Sequence, residues 1–313
     1  MQDKESVVIT GHTNEMEAAA SFASIGKSRH PLHEALRRVW FIPAGRFGLL
    51  ISGLIVLAAV SAPLITPVGP QVQVRGAELQ GPSRSHIFGT DHVGRDLYSR
   101  VIYGARTSLL AGVVAVSFGA FVGISSGLVA GYNGGWIDAV IMRFYDVLLT
   151  FPGILFAIAI VSVLGPSLFN IALAIGIGQM PVDARLTRSI VLSQREQEYI
   201  TAARCVGASG LRMAVIHILP NTLPVLIVHL SLAIGFAVLA EGGLSFLGLG
   251  TQPPTPSWGG MINESRAYLR ESPWYGVWPG VALALLLVGL NFLADGLREA
   301  MDPKASRGTG RIK

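Results

Sequence analysis

Residues Glu198–Asn221 read EYITAARCVGASGLRMAVIHILPN, a polar and basic stretch set between long apolar runs. Its composition predicts two short helices. Glu198–Val206 is helix-forming, with the small residues Ala202 and Ala203 side by side. Gly207 can take the left-handed conformation that closes a helix. Leu211–Ile218 then reads as a second short helix running through Leu219 and Pro220 into the next apolar run. Small residues let a partner surface approach the backbone, while Arg195, Arg204 and Arg212 can meet acids or lipid headgroups. The residues alone allow two readings, an amphipathic linker lying on a membrane surface or a docking element.

The surrounding runs set the fold class. No charge occurs between Arg46 and Arg75, Arg106 and Asp138, Asp146 and Asp183, Arg212 and Glu241, or Glu271 and Asp295. A helix rises about 1.5 Å per residue against a hydrocarbon core of about 30 Å. Most of these runs therefore hold one span each: Phe47–Ile65, Ser108–Gly131, Pro220–Leu247 and Tyr275–Ala294. The run of 36 residues between Asp146 and Asp183 is too long for one span and is divided by Gly165-Pro166. Two shorter spans are expected there, Val147–Leu164 and Ser167–Leu186. The fold class is an all-α membrane protein with six transmembrane helices. Gly112, Gly119, Gly123, Ser125, Ser126 and Gly127 give the second span the small residues that close helix packing needs.

Composition agrees. The chain has 313 residues, 51% hydrophobic and 14% charged, where a soluble domain has about a quarter charged. A single cysteine, Cys205, excludes an intrachain disulfide and a cysteine-based metal site. No cleavable signal precedes the first apolar run, which begins too deep in the chain for one. Six spans put both termini on one side. Six of the 24 Lys and Arg lie in the N-terminal segment through Arg46, one is Arg143, five lie in 185–222 and five in the C-terminal tail, leaving seven for the opposite side. That bias places both termini and the 185–222 loop in the cytoplasm. It accounts for the net charge of +5 without nucleic acid, since no basic helix stands apart from the apolar runs.

The outer segments carry further candidates. His86, Asp91, His92 and Asp96 can be drawn as a metal site, but Asp91, Arg95, Asp96 and Arg100 can also pair along a short helix. The second reading, a structural cap with no metal, is preferred. Thr251–Trp274 is stiffened by Pro253, Pro254 and Pro256, and its aromatic residues suit either an interfacial belt or a contact with a partner. Polar residues within the spans are Asn170, Gln179, His229, Glu241 and Asn291. Ionisable groups there are costly. Glu241 falls about 31 Å along a helix from Pro220, near the outer edge, and is a candidate outer-gate residue. For His229 a hydrogen bond to a neighbouring helix is expected. There is no G-x-x-x-x-G-K-[ST] phosphate loop, so no catalytic residue and no cofactor is assigned.

The Glu198–Asn221 stretch resembles the cytoplasmic "EAA" loop of permease subunits of bacterial ABC importers. That pattern is E-A-A, three residues, G, nine residues, I-x-L-P. Ala202, Ala203, Gly207, Leu219 and Pro220 match it, whereas Thr201 stands at the Glu position and His217 at the first Ile. The segments HIFGTDHVGRDLYSRVIYGARTSL (86–109), DVLLTFPG (146–153), AEGGLSFLGLGTQPPTPSWGGM (240–261) and DGLREAMDP (295–303) are similar to the "C" subunits of dipeptide and oligopeptide permeases. The resemblance covers residues 46–303. It implies the type I ABC importer permease fold, multi-pass in the bacterial cytoplasmic membrane. It also implies a second permease subunit, two ATPase subunits and an extracytoplasmic binding protein that delivers peptide. On it the chain divides into a cytoplasmic tail (1–45), a first transmembrane helix and extracytoplasmic segment (46–105), a core permease domain (106–298) with a coupling loop (187–221), and a C-terminal tail (299–313). The loop residues Glu198, Thr201, Ala202, Ala203, Gly207, Ala208, His217, Leu219 and Pro220 would meet the ATPase, with Glu198 standing in for the acid missing at Thr201. Nickel or metal chelate, glutathione and opines are alternative cargoes of the same permease type. An ion-driven secondary transporter is the alternative of another class, and the chain lacks the buried midplane acids and inverted repeats it would want.

Overall fold

The computed structural model describes residues 37–301; the expectations for the tails at 1–36 and 302–313 lie outside the described residues. By its own contacts the chain divides into Met1–Arg38 and Val39–Lys313. Of the first unit, Arg37 and Arg38 are described, both helical and exposed. Among its described residues the regular structure of the second unit is all helical, with a long non-helical segment between Ile65 and Leu97 that holds only isolated bridges pairing Gln73 with Arg95 and Thr90 with Asp96.

Helix α1 is Pro43–Val60, with proline in its first turn, where the missing N–H costs nothing. A break at Ser61 leads into the single turn α2, Ala62–Ile65. The Ser61 and Thr66 hydroxyls return to Leu57 O (2.6 Å) and Ala62 O (2.8 Å), carbonyls that also accept the backbone N–H of the same two residues. Helix α3 is Leu97–Asn133, 37 residues and about 56 Å long. It begins three turns before the expected span because Asp96 caps it, accepting bonds from the Ser99 N–H (2.8 Å) and hydroxyl (2.9 Å).

The third expected span is not one helix. Helix α4, Gly135–Thr150, and helix α5, Gly153–Leu164, meet at 86°. Pro152 is the cause: it pushes the preceding Phe151 out of the helical region, to φ −85° and ψ 131°. Helix α5 is only 12 residues, about 18 Å, long. Helix α6, Leu168–Gln194, runs two turns past its expected end. Helix α7 is Glu198–Cys205 and helix α8 is the turn Gly210–Arg212. A π-helical segment, Met213–Ile218, leads into helix α9, Leu219–Phe246. Helix α10 is Trp258–Ser265 and helix α11 is Trp274–Met301. Among the described residues, four helical stretches are long and apolar enough to cross a membrane (α1, α3, Gly210–Phe246 and α11), and the bent pair α4–α5 makes a fifth if it counts as one.

Glycine builds the two tightest interfaces. Gly119, Gly123, Gly127 and Gly131 recur every four residues on α3 and form one ridge against α6. A β-carbon on Gly127 would sit 2.4 Å from the Ala184 carbonyl oxygen, and one on Gly123 2.7 Å from Asp183 Cβ. The same device joins α1 to α11, where a β-carbon on Gly48 would sit 2.2 Å from the Leu293 nitrogen. Helices in lipid gain nothing from excluding water, so this closeness of backbones is what dispersion has to work with. Helix α9 packs against α3, α6 and α11. Large apolar side chains such as Leu54, Phe121 and Phe236 remain at least two-thirds exposed, which suits lipid.

Candidate functional site

The polar loop opens with α7, whose end is fixed by backbone geometry. Gly207 adopts φ +82°. Its N–H bonds the Arg204 carbonyl (3.0 Å), and the Ala208 N–H bonds the Ala203 carbonyl (3.1 Å). This is the paired-bond closure that a left-handed glycine makes at a helix C-terminus. The loop is anchored on its inner side. Ile200, Met213, Ala214 and Ile218 are buried with Leu128 and Val191, so the hairpin sits on the ends of α3 and α6. Arg195 donates to the Gly131 and Tyr132 carbonyls (3.2 and 3.3 Å), which α3 leaves unpaired at its C-terminus.

Its outer side is bare. Glu198, Thr201, Ala202 and Gly207 are exposed, and Ala203 and Ala208 are half-buried. Val206 and Leu211 are 85% and 78% exposed. Helix α7 and its closing turn thus carry six of the nine loop residues singled out from the sequence. The other three lie further on: His217 is half-buried in the π segment, and Leu219 and Pro220 begin α9. The second short helix expected at Leu211–Ile218 is mostly this π segment. Pro220 has no N–H for the carbonyl four residues earlier and its ring crowds that position, and a wider turn relieves both.

A second polar cluster forms a cap where α3 begins. Asp91 is fully buried and accepts from the N–H groups of Val93 and Arg95 (both 2.9 Å) and from Arg95 Nε (2.5 Å). Arg100 Nε lies 3.4 Å from the same carboxylate. Both guanidiniums reach Glu264 Oε2 on α10 at 3.4 Å, and the Tyr275 hydroxyl donates to that oxygen. His92 stacks on Tyr268, and His86 Nδ1 lies 3.0 Å from Asp96. The expectation that Asp91, Arg95, Asp96 and Arg100 pair among themselves holds for Asp91 with Arg95 and Arg100, but its helix placement is corrected: Asp91–Asp96 precede the helix, and a second carboxylate comes from Glu264. Ligand atoms of Asp91, His92 and Glu264 lie within 4.8 Å of one another, but two guanidiniums and a phenol already occupy both carboxylates. Replacing Glu264 by glutamine leaves two guanidiniums facing one carboxylate. A loss of about 3 kcal/mol is expected, read as a lower thermal unfolding midpoint in detergent; an unchanged midpoint would show the network to be dispensable.

Glu241 is fully buried. Its Oε1 accepts from the Ser245 hydroxyl at 2.6 Å, and its Oε2 has no hydrogen-bond partner. It stands in the packing of α9 against α3 and α10, beside Trp258, whose indole donates to the Val101 carbonyl at 2.9 Å. His229 makes the expected bond to a neighbouring helix: Nε2 lies 2.7 Å from Asp183 Oδ1 on α6. Asp183 ends an apolar run in the sequence, and nothing local marks it as an interior group; fully buried, it corrects the expectation that no acid is buried within the bundle. On α4, Asp138 and Asp146 receive Arg188 and Arg185 of α6 at 2.5 and 2.6 Å.

Membrane-length helices knit by glycine, with a bare polar hairpin and a buried ionic cap, define a multi-pass membrane protein. The chain belongs to the family of binding-protein-dependent transport system inner membrane components, whose sequence profile matches residues 123–307. It is 45% identical over 274 residues to the dipeptide transport system permease protein DppC of Alkalihalophilus pseudofirmus, covering 88% of this chain and 90% of that protein. It is 44% identical over 277 residues to the glutathione transport system permease proteins GsiD of Escherichia coli and Shigella boydii, covering 88% of this chain and 91% of each. It is an ABC transporter permease.

Proposed function

We propose that this chain is one of two permease subunits of an ATP-driven importer in the bacterial cytoplasmic membrane, and that its cargo is a di- or oligopeptide. In this reading α5 and α6 complete six spans with both termini in the cytoplasm. Two ATPase subunits dock on the 187–221 loop, and a binding protein delivers cargo to the opposite face. Transport is by alternating access, driven by the different affinities of the two states for ATP. The observation that carries the docking is the bare face of α7. It is rigidly closed at Gly207, anchored through Ile200 and Arg195, and lined with side chains small enough for a partner to reach the backbone. An ATPase contributes what this chain lacks, a phosphate-binding loop.

Peptide cargo is favoured by the 45% identity to a dipeptide permease. Glutathione, itself a tripeptide, is the second reading, favoured by the GsiD relatives. Affinity purification of the tagged chain from native membranes, followed by mass spectrometry, is expected to recover an ATPase and a second permease. Mass spectrometry of the ligand on the cognate binding protein then identifies the cargo. A chain recovered alone, transporting with an ion gradient and without ATP, would overturn the proposal.

A further inference from the structure

The pair formed by Asp183 and His229 has no part in the docking face, yet it occupies a particular place. Helix α6 leads into the polar loop and helix α9 leads out of it. Asp183 lies eleven residues before the end of α6, about 16 Å along the helix, and His229 ten residues after the start of α9, about 15 Å. Their contact is thus a rung joining the two arms of the loop at nearly equal height. Among the described residues it is the carboxylate–imidazole bond between those helices.

The carboxylate is held hard in place. Asp183 is fully buried, and its Oδ1 also accepts from Gln179 Nε2 at 3.2 Å. The glycine ridge presses on it from the far side, since a β-carbon on Gly123 would come within 2.7 Å of Asp183 Cβ. Its Oδ2 has no hydrogen-bond partner. His229 is 23% exposed and lines a cavity of about 410 Å³ with Leu186, Pro224, Leu232 and Arg298. An uncompensated carboxylate at such a site is costly. A neutral hydrogen bond would hold two helices with less desolvation, whereas a charge-assisted one is shorter, stronger and more directional.

We propose that Asp183 and His229 are positioning residues that make α6 and α9 move as one arm when the loop between them is displaced, so that motion of the loop reaches both helices undivided. This rests on the reading of the loop as the ATPase docking element. The test uses the intact transporter complex in proteoliposomes, with cargo delivered as a labelled dipeptide. Asp183→Ala and His229→Ala should each lower the dipeptide moved per ATP hydrolysed about tenfold with the ATPase still bound. The double variant should be no worse than either single one. Asp183→Asn, which keeps an acceptor for the imidazole, should restore most of the ratio.

A second measurement does not depend on transport. Spin labels at Ser193→Cys and Asn221→Cys, in a Cys205→Ser background, report the spacing of the two arms where they meet the loop. That spacing should stay the same with and without a non-hydrolysable ATP analogue in the parent chain and change by several ångströms in Asp183→Ala. Unchanged coupling in the alanine variants, a hundredfold loss in the double variant, failure of Asp183→Asn to rescue, or equal label spacing in both chains would each overturn the rung. An ATPase that does not co-purify with the unaltered chain would overturn the docking reading instead.

Discussion

Replacing Gly207 with valine should reduce dipeptide uptake at least tenfold while leaving the protein in the membrane at normal levels. At φ +82° a β-branched residue is strained, by roughly 1–2 kcal/mol or more. Escape from that conformation undoes both hydrogen bonds that close α7. The loop lies at the end of the bundle, so the helices behind it keep their packing. Gly207→Asn is the control, because asparagine tolerates the left-handed region and should retain much of the uptake. Ala202→Glu tests the same face without backbone strain, since the residue is exposed. It should lower the amount of ATPase recovered with the chain. Uptake by whole cells, normalised to immunoblotted membrane protein, decides the matter. Normal uptake in both Gly207→Val and Ala202→Glu would mean that an ATPase does not grip this face.

Gly127→Leu should have the other large effect, and on stability instead of coupling. The β-carbon alone would meet the Ala184 carbonyl oxygen at 2.4 Å and Thr187 Cβ at 2.9 Å. Neither atom is the far end of a flexible side chain, so α3 and α6 have to separate. Alanine at Gly127 should cost about 1–3 kcal/mol, in the range of overpacked cores. Leucine should prevent the folded state from accumulating. Gly53 is the internal control: nothing lies within 4 Å of its β-carbon position, so Gly53→Leu should be neutral. The comparison is made by fluorescence-detected thermal unfolding in detergent. Equal stability of Gly127→Leu and Gly53→Leu would contradict the glycine ridge.

What could be read from the residues in advance follows a physical boundary. Apolar runs bracketed by charge located α1, α3, α9 and α11, because a membrane's thickness constrains length and hydropathy together. The polar hairpin and its Gly207 closure were also legible, since a left-handed cap is a local backbone requirement. The bend between α4 and α5 had a visible signal in Phe151-Pro152, but it sits inside an uncharged run and hydropathy does not register it. The π segment had one too, in Pro220. Asp183 was passed over for a different reason: it marked the edge of an apolar run, and its partner lies 46 residues away. Likewise Asp91, Arg95 and Arg100 pair locally, while the second carboxylate that the two arginines share, Glu264, is supplied from 164 residues beyond Arg100. Periodicity reports which face of a helix is buried, not which group waits across the interface.

That last contact has a consequence for how the chain is made. Arg95 and Arg100 leave the ribosome long before Glu264 and Tyr275, which the cap needs for charge balance. Until the final hairpin arrives, the earlier segment carries two guanidiniums and one acid in a place built to be dry. A chain truncated before α10 therefore keeps an open, hydrated cap and should be cut readily by membrane proteases, whereas the finished chain seals it.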